Sequence, residues 1–479
     1  MNSTNKPHTF YVTTSIPYVN STPHLGHAME FVQADVLARW RRACGDDTFF
    51  LTGTDEHGQK NWQTAEKNGM EVAEFTARNT ESFRTLTQLL YISNDYFVRT
   101  TDDRHKAAAQ KIWNECSHDI YKDTYSGSYC VGCERFYPEK EIVDGKCPIH
   151  ETELEYSEME SYFFRLSKYT DQIRSLIAED KLRVLPAKRK NEMLAFVDGG
   201  LEDVSISRPK SQLPWGVEVP SDSSHVMYVW FDALTNYISA IGYEDNNEQF
   251  AQWWPAQVHV VGKDIARFHC LLWPAMLLSA GLDTPRSVYV HGFINAVGGT
   301  KMSKSLGNVV DPDEIIATYG VDALRYYLLR AIPSDNDGEF GLERLGLVYN
   351  ADLANGLGNL VQRVASMTVK YCDGSFAAAQ AEKIDISKLL NDCRFDRALE
   401  QVFTHITTQN QRIEENKPWE LAKNDSVAVA ELLASLIAHI KTIGEALAPF
   451  LPETAEKIDA IFKDGKVDTS VGMLFPRID

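Results

Sequence analysis

Two short runs carry residue types that could manage phosphate charge. One is Pro23-His24-Leu25-Gly26-His27 near the start, the other Lys301-Met302-Ser303-Lys304-Ser305 beyond the middle. The first follows an apolar run, Phe10 to Ile16, and precedes a helix-like stretch, Met29 to Arg42. Its two imidazoles, with Gly26 between them, therefore fall near a helix start, where unspent N–H groups and the helix dipole favour phosphate. The second run offers the ammonium groups of Lys301 and Lys304 in a hydroxyl-rich loop. That suits charge developing on a departing polyphosphate. In this order the two runs describe a nucleotide site built from distant parts of one sheet, and its chemistry reads as activation of a substrate by ATP.

A second constellation is Cys130-Val-Gly-Cys133 followed by Cys147-Pro-Ile-His150, on turn-rich segments. Three thiolates and one imidazole satisfy tetrahedral zinc and leave no open position, so the metal is expected to be structural rather than catalytic. The remaining cysteines, Cys44, Cys116, Cys270, Cys372 and Cys393, are scattered. They read as reduced thiols, in keeping with the cytoplasm.

The elements that must position these groups fit within 479 residues, room for several domains. A chain that is 44% apolar and 24% charged is an ordinary globular one. No run reaches the roughly 18 uninterrupted apolar residues of a membrane span, and the polar start, Met1 to Thr9, lacks the apolar core of a secretory signal. A net charge of −19 speaks against nucleic acid only naively, because net charge hides patches. Arg39, Arg41 and Arg42 cluster, as do Lys188, Arg189 and Lys190; from charge alone these are solvated faces.

Apolar runs alternate with helical periods over the first hundred residues, predicting parallel βαβ units with buried strands at Tyr11 to Ser15 and Thr48 to Leu51. Gly58 to Leu90 has helical spacing. From about Ser117 to Ser224 turns, Gly, Pro and short aromatic runs suggest an insertion. The alternation resumes with strand-like Met227 to Phe231, Val258 to Val261 and Val288 to Val290. A split sheet of this kind gathers ligands at the C-terminal ends of its strands. Beyond about Glu343 the spacing is helical, over Val348 to Tyr371, Arg397 to Asn416 and Ala428 to Leu447, with Pro418, Pro449 and Pro452 as punctuation.

The two opening runs resemble the signatures of class I aminoacyl-tRNA synthetases. The stretch Ile16-Pro17-Tyr18-Val19-Asn20-Ser21-Thr22-Pro23-His24-Leu25-Gly26-His27 resembles specifically the methionyl-tRNA synthetase family. So do Thr54-Asp55-Glu56-His57-Gly58, Tyr228-Val229-Trp230-Phe231-Asp232-Ala233, Gly262-Lys263-Asp264-Ile265 with Phe268-His269, and Lys417-Pro418-Trp419. The likeness runs in unbroken order from about Thr9 to the last helices.

What the resemblance implies is specific. The fold would be α/β: a split Rossmann-type parallel-sheet catalytic domain (1–116 and 227–290), an inserted zinc-knuckle domain (117–226), a KMSKS loop and stem-contact region (291–345), and a C-terminal all-α anticodon-binding bundle (346–479). His24 and His27 would contact the ATP phosphates, and Lys301 and Lys304 would hold the departing pyrophosphate. Gly26, Gly262, Asp264 and Ser303 would complete the ATP site, with Asp264 on the ribose, and Mg2+ would accompany ATP. Asp55 and the carbonyl of Ile16 would hold the methionine ammonium; Tyr18, Trp230, Leu234, Tyr237 and His269 would enclose the thioether. Leu234 stands where some relatives carry proline. Asn359, Arg363 and Trp419 would read the anticodon of tRNA(Met), initiator included. Zn2+ would sit on Cys130, Cys133, Cys147 and His150.

Taken singly, each of these residues has a plainer reading: a helix-start histidine, a solvated loop, core packing, a cap. Two other functions share part of the pattern. A nucleotidyltransferase of the same superfamily would keep the phosphate signatures but would not need the helical bundle. A non-catalytic RNA-binding descendant would keep the bundle and lose the phosphate ligands, whereas both histidines and both lysines are present. The expectation is a cytoplasmic enzyme, a monomer without membrane attachment, that charges tRNA with methionine.

Overall fold

β-Branched and aromatic residues fill six strands, as pleated and buried surfaces favour. They are β1 (Thr9–Thr14), β2 (Asp47–Thr54), β3 (Tyr96–Arg99), β4 (Arg183–Leu185), β5 (Val258–Gly262) and β6 (Ser287–His291). They form one sheet in the order β3-β2-β1-β5-β6-β4, with every neighbouring pair parallel. Nearly every residue of β1, β5 and β6 is buried, the signature of a parallel sheet covered on both faces. From β1 the chain winds outward one way through β2 and β3. From β5 it winds the other way to β6, so the order reverses between β1 and β5. Open α/β sheets bind ligands at that point, beyond the strand C-termini.

The computed structural model describes residues 8–130, 135–137, 139–142, 144–149, 151–245, 247–299 and 311–478. Of the residues singled out above, Cys133, His150, Lys301, Ser303 and Lys304 lie outside this set. The chain divides into two compact units: 1–23, 41–88 and 92–291 in the first, 24–40, 89–91 and 292–479 in the second.

In the first unit the helical spacing of Gly58 to Leu90 resolves into Gln59–Lys67 and Val72–Leu89, interrupted at Gly69. The segment 117–226 does two things. Ile120–Cys130, Arg135–Tyr137, Glu155–Phe164 and Val204–Ser205 form a four-stranded antiparallel sheet, while β4 extends the parallel sheet beyond β6. The run Met227 to Phe231 is not one strand. Asp222–Met227 is a strand of a small antiparallel sheet, and Val229–Ala233 is a short helix. A short apolar run has no periodicity to separate a buried strand from a buried helix.

The second unit is mainly helical. It takes in most of the helix Leu25–Ala43, then Pro312–Tyr319, Val321–Arg330, Leu342–Val348, Asn359–Cys372, Phe395–Asn416, Pro418–Asn424, Ser426–Leu447 and Pro452–Ile461. A π-helical stretch, Tyr349–Gly358, runs into Asn359–Cys372. Ser426–Leu447 is long and apolar enough to cross a membrane, with a mean hydropathy of 1.6, yet 56% of that window is buried among its neighbours. It is a bundle core helix.

Arg325 ties this unit together. It is fully buried, its Nε donates to the Phe450 carbonyl at 2.8 Å, and Nη1 and Nη2 donate to the Leu90 and Pro449 carbonyls at 2.9 and 3.0 Å. Nη2 also pairs with Oδ2 of the buried Asp35 carboxylate at 2.8 Å, the same oxygen that Arg39 Nε meets at 2.8 Å. Removing Arg325 takes from the buried Asp35 carboxylate one of its two guanidinium partners and leaves the Phe450, Leu90 and Pro449 carbonyls without this donor. Arg325→Leu is therefore expected to destabilise the second unit by about 3–5 kcal/mol, read as a lower denaturation midpoint in urea; a loss below about 1 kcal/mol would contradict this reading of the pair.

Candidate active site

His24 stands at the N-terminus of the long helix, where the Ala28 N–H donates to its carbonyl at 3.1 Å. The His24 and His27 rings stack with centroids 3.8 Å apart and planes 15° from parallel. Main-chain donors decide how these rings present themselves. The Gly26 N–H donates to His24 Nδ1 at 3.1 Å, and the His24 N–H donates to His27 Nδ1 at 3.2 Å. With Nδ1 an acceptor on both rings, each neutral imidazole carries its proton on Nε2. Both ring N–H groups thus belong to Nε2, on residues at a helix start, where N–H groups and the helix dipole favour an anion. A Cβ on Gly26 would come within 2.9 Å of the His24 ring, so glycine is what permits the stack.

The first unit gathers aromatic side chains and one carboxylate beyond the C-terminal ends of β1, β2 and β5. Asp55 lies just past β2, 3% exposed, and pairs in a parallel bridge with Tyr18 from the segment after β1; its N–H donates to the Pro17 carbonyl at 2.9 Å. Ile16 and Tyr18, both half-buried, pack on the same apolar core as Trp230. Tyr18 meets Trp230 edge-on at 6.4 Å, Trp230 stacks on Phe268 at 4.0 Å, and Trp230 meets His269 edge-on at 6.1 Å. Leu234 and Tyr237 are each 1% exposed and belong to this core. The result is an aromatic enclosure with a carboxylate beside it.

His269 has its tautomer fixed from behind. It lies in a π-helical turn, Phe268–Leu272, a distortion that often marks functional positions. Its Nδ1 is 2.9 Å from the Ile265 carbonyl, which can only accept, so Nδ1 carries a proton. Nε2 then accepts from the Tyr237 hydroxyl at 2.6 Å. Tyr237 stacks at 4.1 Å on His259, whose pKa is driven far down by burial and by His269, so that this second ring is neutral. Its Nδ1 lies 2.7 Å from the Thr13 hydroxyl on β1.

Gly262, the last residue of β5, leads into the turn Lys263–Ile265 with Asp264 exposed on it. A Cβ on Gly262 would lie 2.8 Å from Asp264 Oδ1, so glycine leaves that carboxylate its place. In the second unit Asn359 and Arg363 are one turn apart on Asn359–Cys372. Arg363 pairs with Glu414 at 2.7 Å, and half-buried Trp419 opens the next helix, Pro418–Asn424, which packs against Asn359–Cys372. The three therefore lie on two helices that pack against each other. Cys130 and Cys147 are each 1% exposed in a small cluster with Tyr137, whose hydroxyl is 3.5 Å from Cys147 Sγ.

Comparison with known proteins bears on which site this is. The family described as "tRNA synthetases class I (M)" matches residues 10–159 and 141–365. Among curated relatives, the methionine--tRNA ligase of Brucella suis is 43% identical over 469 residues, 94% of this chain and 90% of the relative. That of Caldanaerobacter subterraneus is 42% identical over 507 residues, 98% of this chain and 79% of the relative. The chain belongs to the methionyl class I tRNA synthetases.

A solved structure agrees throughout: Mycobacterium tuberculosis methionyl-tRNA synthetase in complex with methionyl-adenylate has a TM-score of 0.90 at 39% identity, over 98% of this chain and 97% of that one. The apo form of the same synthetase has a TM-score of 0.84. The split parallel sheet and helical C-terminal region expected from the sequence are thus those of the family.

Reasoning on the sequence missed the groups behind the pocket, namely Phe268 under Trp230 and the histidines around Asp232. Phe268, His57 and Asp232 stand in the motifs given above and His105 in none of them; the pairings, across long stretches of chain, were not visible. The geometry at hand makes a direct expectation for long-range 1H–15N spectra of histidine-labelled protein at mildly alkaline pH. His24 and His27 should show the Nε2–H tautomer and His269 the Nδ1–H tautomer, and the reverse assignment at any of the three would refute its hydrogen bonds.

Proposed function

We propose that the chain activates L-methionine with ATP to methionyl-adenylate and transfers the methionyl group to tRNA(Met), the initiator included. The observation that carries this reading is the aromatic enclosure of Tyr18, Trp230, Tyr237 and His269 beside a nearly buried Asp55, at the point where the sheet reverses its order.

Asp55 and the Ile16 carbonyl take the substrate ammonium. Tyr18, Trp230, Leu234, Tyr237 and His269 take the thioether, whose sulfur gains about 0.3–1.5 kcal/mol from each favourable aromatic contact. An unbranched side chain fits this slot and a β-branched one does not, at about 1–3 kcal/mol per misplaced methylene. The substrate carboxylate attacks the α-phosphorus in line, the bond from that phosphorus to the bridging oxygen breaks, and pyrophosphate leaves. No protein nucleophile is needed, because positioning and charge neutralisation supply the acceleration. The Nε2–H groups of His24 and His27 donate to the phosphates, and Lys301 and Lys304 with Ser303 hold the leaving pyrophosphate. Asp264 holds the ribose beside Gly262, and Gly26 leaves room for adenine. ATP brings Mg2+ with it.

The terminal ribose hydroxyl of the tRNA then attacks the methionyl carbonyl carbon, the bond from that carbon to the phosphate oxygen breaks, AMP leaves and the hydroxyl proton is released with it. Trp419 is a stacking platform for an unpaired anticodon base, while Asn359 and Arg363 read base edges. Local stacking of this kind reconciles RNA binding with a net charge of −19. The reading extends to a monomeric enzyme of the cytoplasm, where cysteines stay reduced; burial pushes the Cys116 and Cys270 thiols up to about 12, which leaves them unreactive. Zinc fits the inserted region, since Cys130 and Cys147 are soft donors buried in one cluster, and a tight turn returns the Glu151 N–H to the Cys147 carbonyl at 2.8 Å. Cys133 and His150 would complete the set. Bound there, zinc would cross-link the turns and stay out of the reaction.

Pyrophosphate exchange into ATP, run with each of the twenty amino acids, tests the activity. Methionine alone should support it; exchange with another amino acid, or none, would overturn the proposal. Trp419→Ala should keep methionine-dependent exchange within about twofold yet cut tRNA charging by about tenfold or more, the value of one base stack, and equal loss in both assays would refute the anticodon role. Purified protein should contain zinc, and Cys130→Ser should lose it; zinc absent from the first or retained by the second would remove the metal assignment.

A further inference from the structure

Beside the pocket the first unit buries a charged cluster that none of the roles above uses. Asp232 is wholly buried, and each of its carboxylate oxygens meets one imidazole: Oδ2 lies 2.6 Å from His57 Nδ1 and Oδ1 lies 2.8 Å from His105 Nε2. His105 Nδ1 in turn lies 3.0 Å from the Ser239 hydroxyl. His57 and His105 are 2% and 0% exposed. A lone carboxylate at such depth would be too costly to keep ionised, and two ring N–H donors are what keep it so. Burial pushes its pKa up, but attraction to His57 and the bonds from both rings outweigh this and hold it at about 2.

The cluster reaches Asp55 through the main chain. The His57 N–H donates to Asp55 Oδ1 at 3.2 Å, and the Thr100 hydroxyl donates to the same oxygen at 3.4 Å. Asn61 Nδ2 binds the Asp55 and His57 carbonyls at 3.0 and 2.9 Å, so residues 55–57 are stitched into one rigid corner. Glu56, between them, is fixed by Arg99 at 2.5 and 2.9 Å and by Thr80 and Thr101 at 2.8 and 2.7 Å. Where the His57 ring is pinned therefore decides where the Asp55 carboxylate points. The pin itself is on the helix Val229–Ala233, which also carries Trp230 and ends at Leu234. One carboxylate spans the two sides of the pocket.

We infer that Asp232 is a positioning residue: through His57 it holds the Asp55 carboxylate at a set distance from the Trp230–Leu234 wall, so that a bound amino acid has its ammonium and its side chain satisfied at once. This rests on the methionine reading above. The inference separates two parts of the ligand. Disturbing Asp232 should weaken the grip on the ammonium and leave the grip on the thioether side chain. Asparagine is nearly isosteric with aspartate, but one of its atoms facing the two rings is a donor. One imidazole must then change tautomer or lose its partner, while the volume stays filled.

The test compares wild type with Asp232→Asn in methionine-dependent exchange, with the desamino analogue of methionine as a competitive inhibitor. The variant should raise KM for methionine by about tenfold, the worth of one charge-assisted hydrogen bond, with kcat and KM for ATP changed by less than about threefold. Ki for the desamino analogue should stay within about twofold, because that ligand never used Asp55. An unmoved KM for methionine, or a parallel rise in KM and Ki, would overturn the inference. Should Asp232→Asn not accumulate in soluble form, His57→Leu against His57→Asn decides the matter in the same assays. Asparagine keeps a donor near the Nδ1 position and should recover most of the methionine KM that leucine loses; equal values in the two would overturn the positioning role. Wild type that exchanges no methionine would defeat the functional reading instead, so the two failures are distinct.

Discussion

A carboxylate removed from water stays ionised only if donors saturate it. Asp232 meets that requirement with two buried imidazoles from different elements: His57 follows β2, and His105 lies on the helix Asp103–Glu115. The short helix carrying Trp230, the corner carrying Asp55 and the helix carrying His105 are all committed to one position by this requirement. Moving any of them strands a charge. The cost of that, several kcal/mol, makes the pocket a rigid frame rather than a set of adaptable loops.

The rest of the pocket follows the same logic with neutral groups. The Ile265 carbonyl sets the tautomer of His269, His269 accepts from the Tyr237 hydroxyl, and Tyr237 rests on His259, which β1 holds through Thr13. Each ring has one job available to it because its other nitrogen is already engaged. In the second unit main-chain N–H groups likewise occupy the Nδ1 atoms of His24 and His27, which puts the proton of each neutral ring on Nε2. Selectivity of this kind comes from pre-set hydrogen bonding and shape, and it needs no motion at the moment of reaction.

Much of this was legible in the chain itself. Strands β1, β2, β5 and β6 fall on short apolar runs whose alternation with helical periods marked them as strands, and the long amphipathic repeats past Glu343 read as helices. The strand Arg183–Leu185 is too short for any periodicity to announce it. Met227 to Phe231 read as one strand because apolar residues fill both a buried strand and a buried helix turn. The π-turn under His269 leaves no mark on composition. Nor could spacing have joined Asp232 to His57 and His105, which lie 175 and 127 positions away in the chain. The residue types of the site were readable, while the partners that orient them exist only once the sheet has brought distant segments together.

The central claim is that the first unit holds a preformed site that grips an amino acid by its ammonium and its thioether together. Calorimetric titration of the wild-type protein with methionine and with its desamino analogue, both without ATP, measures this directly. The account requires a single saturable methionine site and a desamino analogue that binds about tenfold or more weakly, the loss of one charge-assisted contact. Equal affinity for the two ligands, or no methionine binding in the absence of ATP, would contradict it.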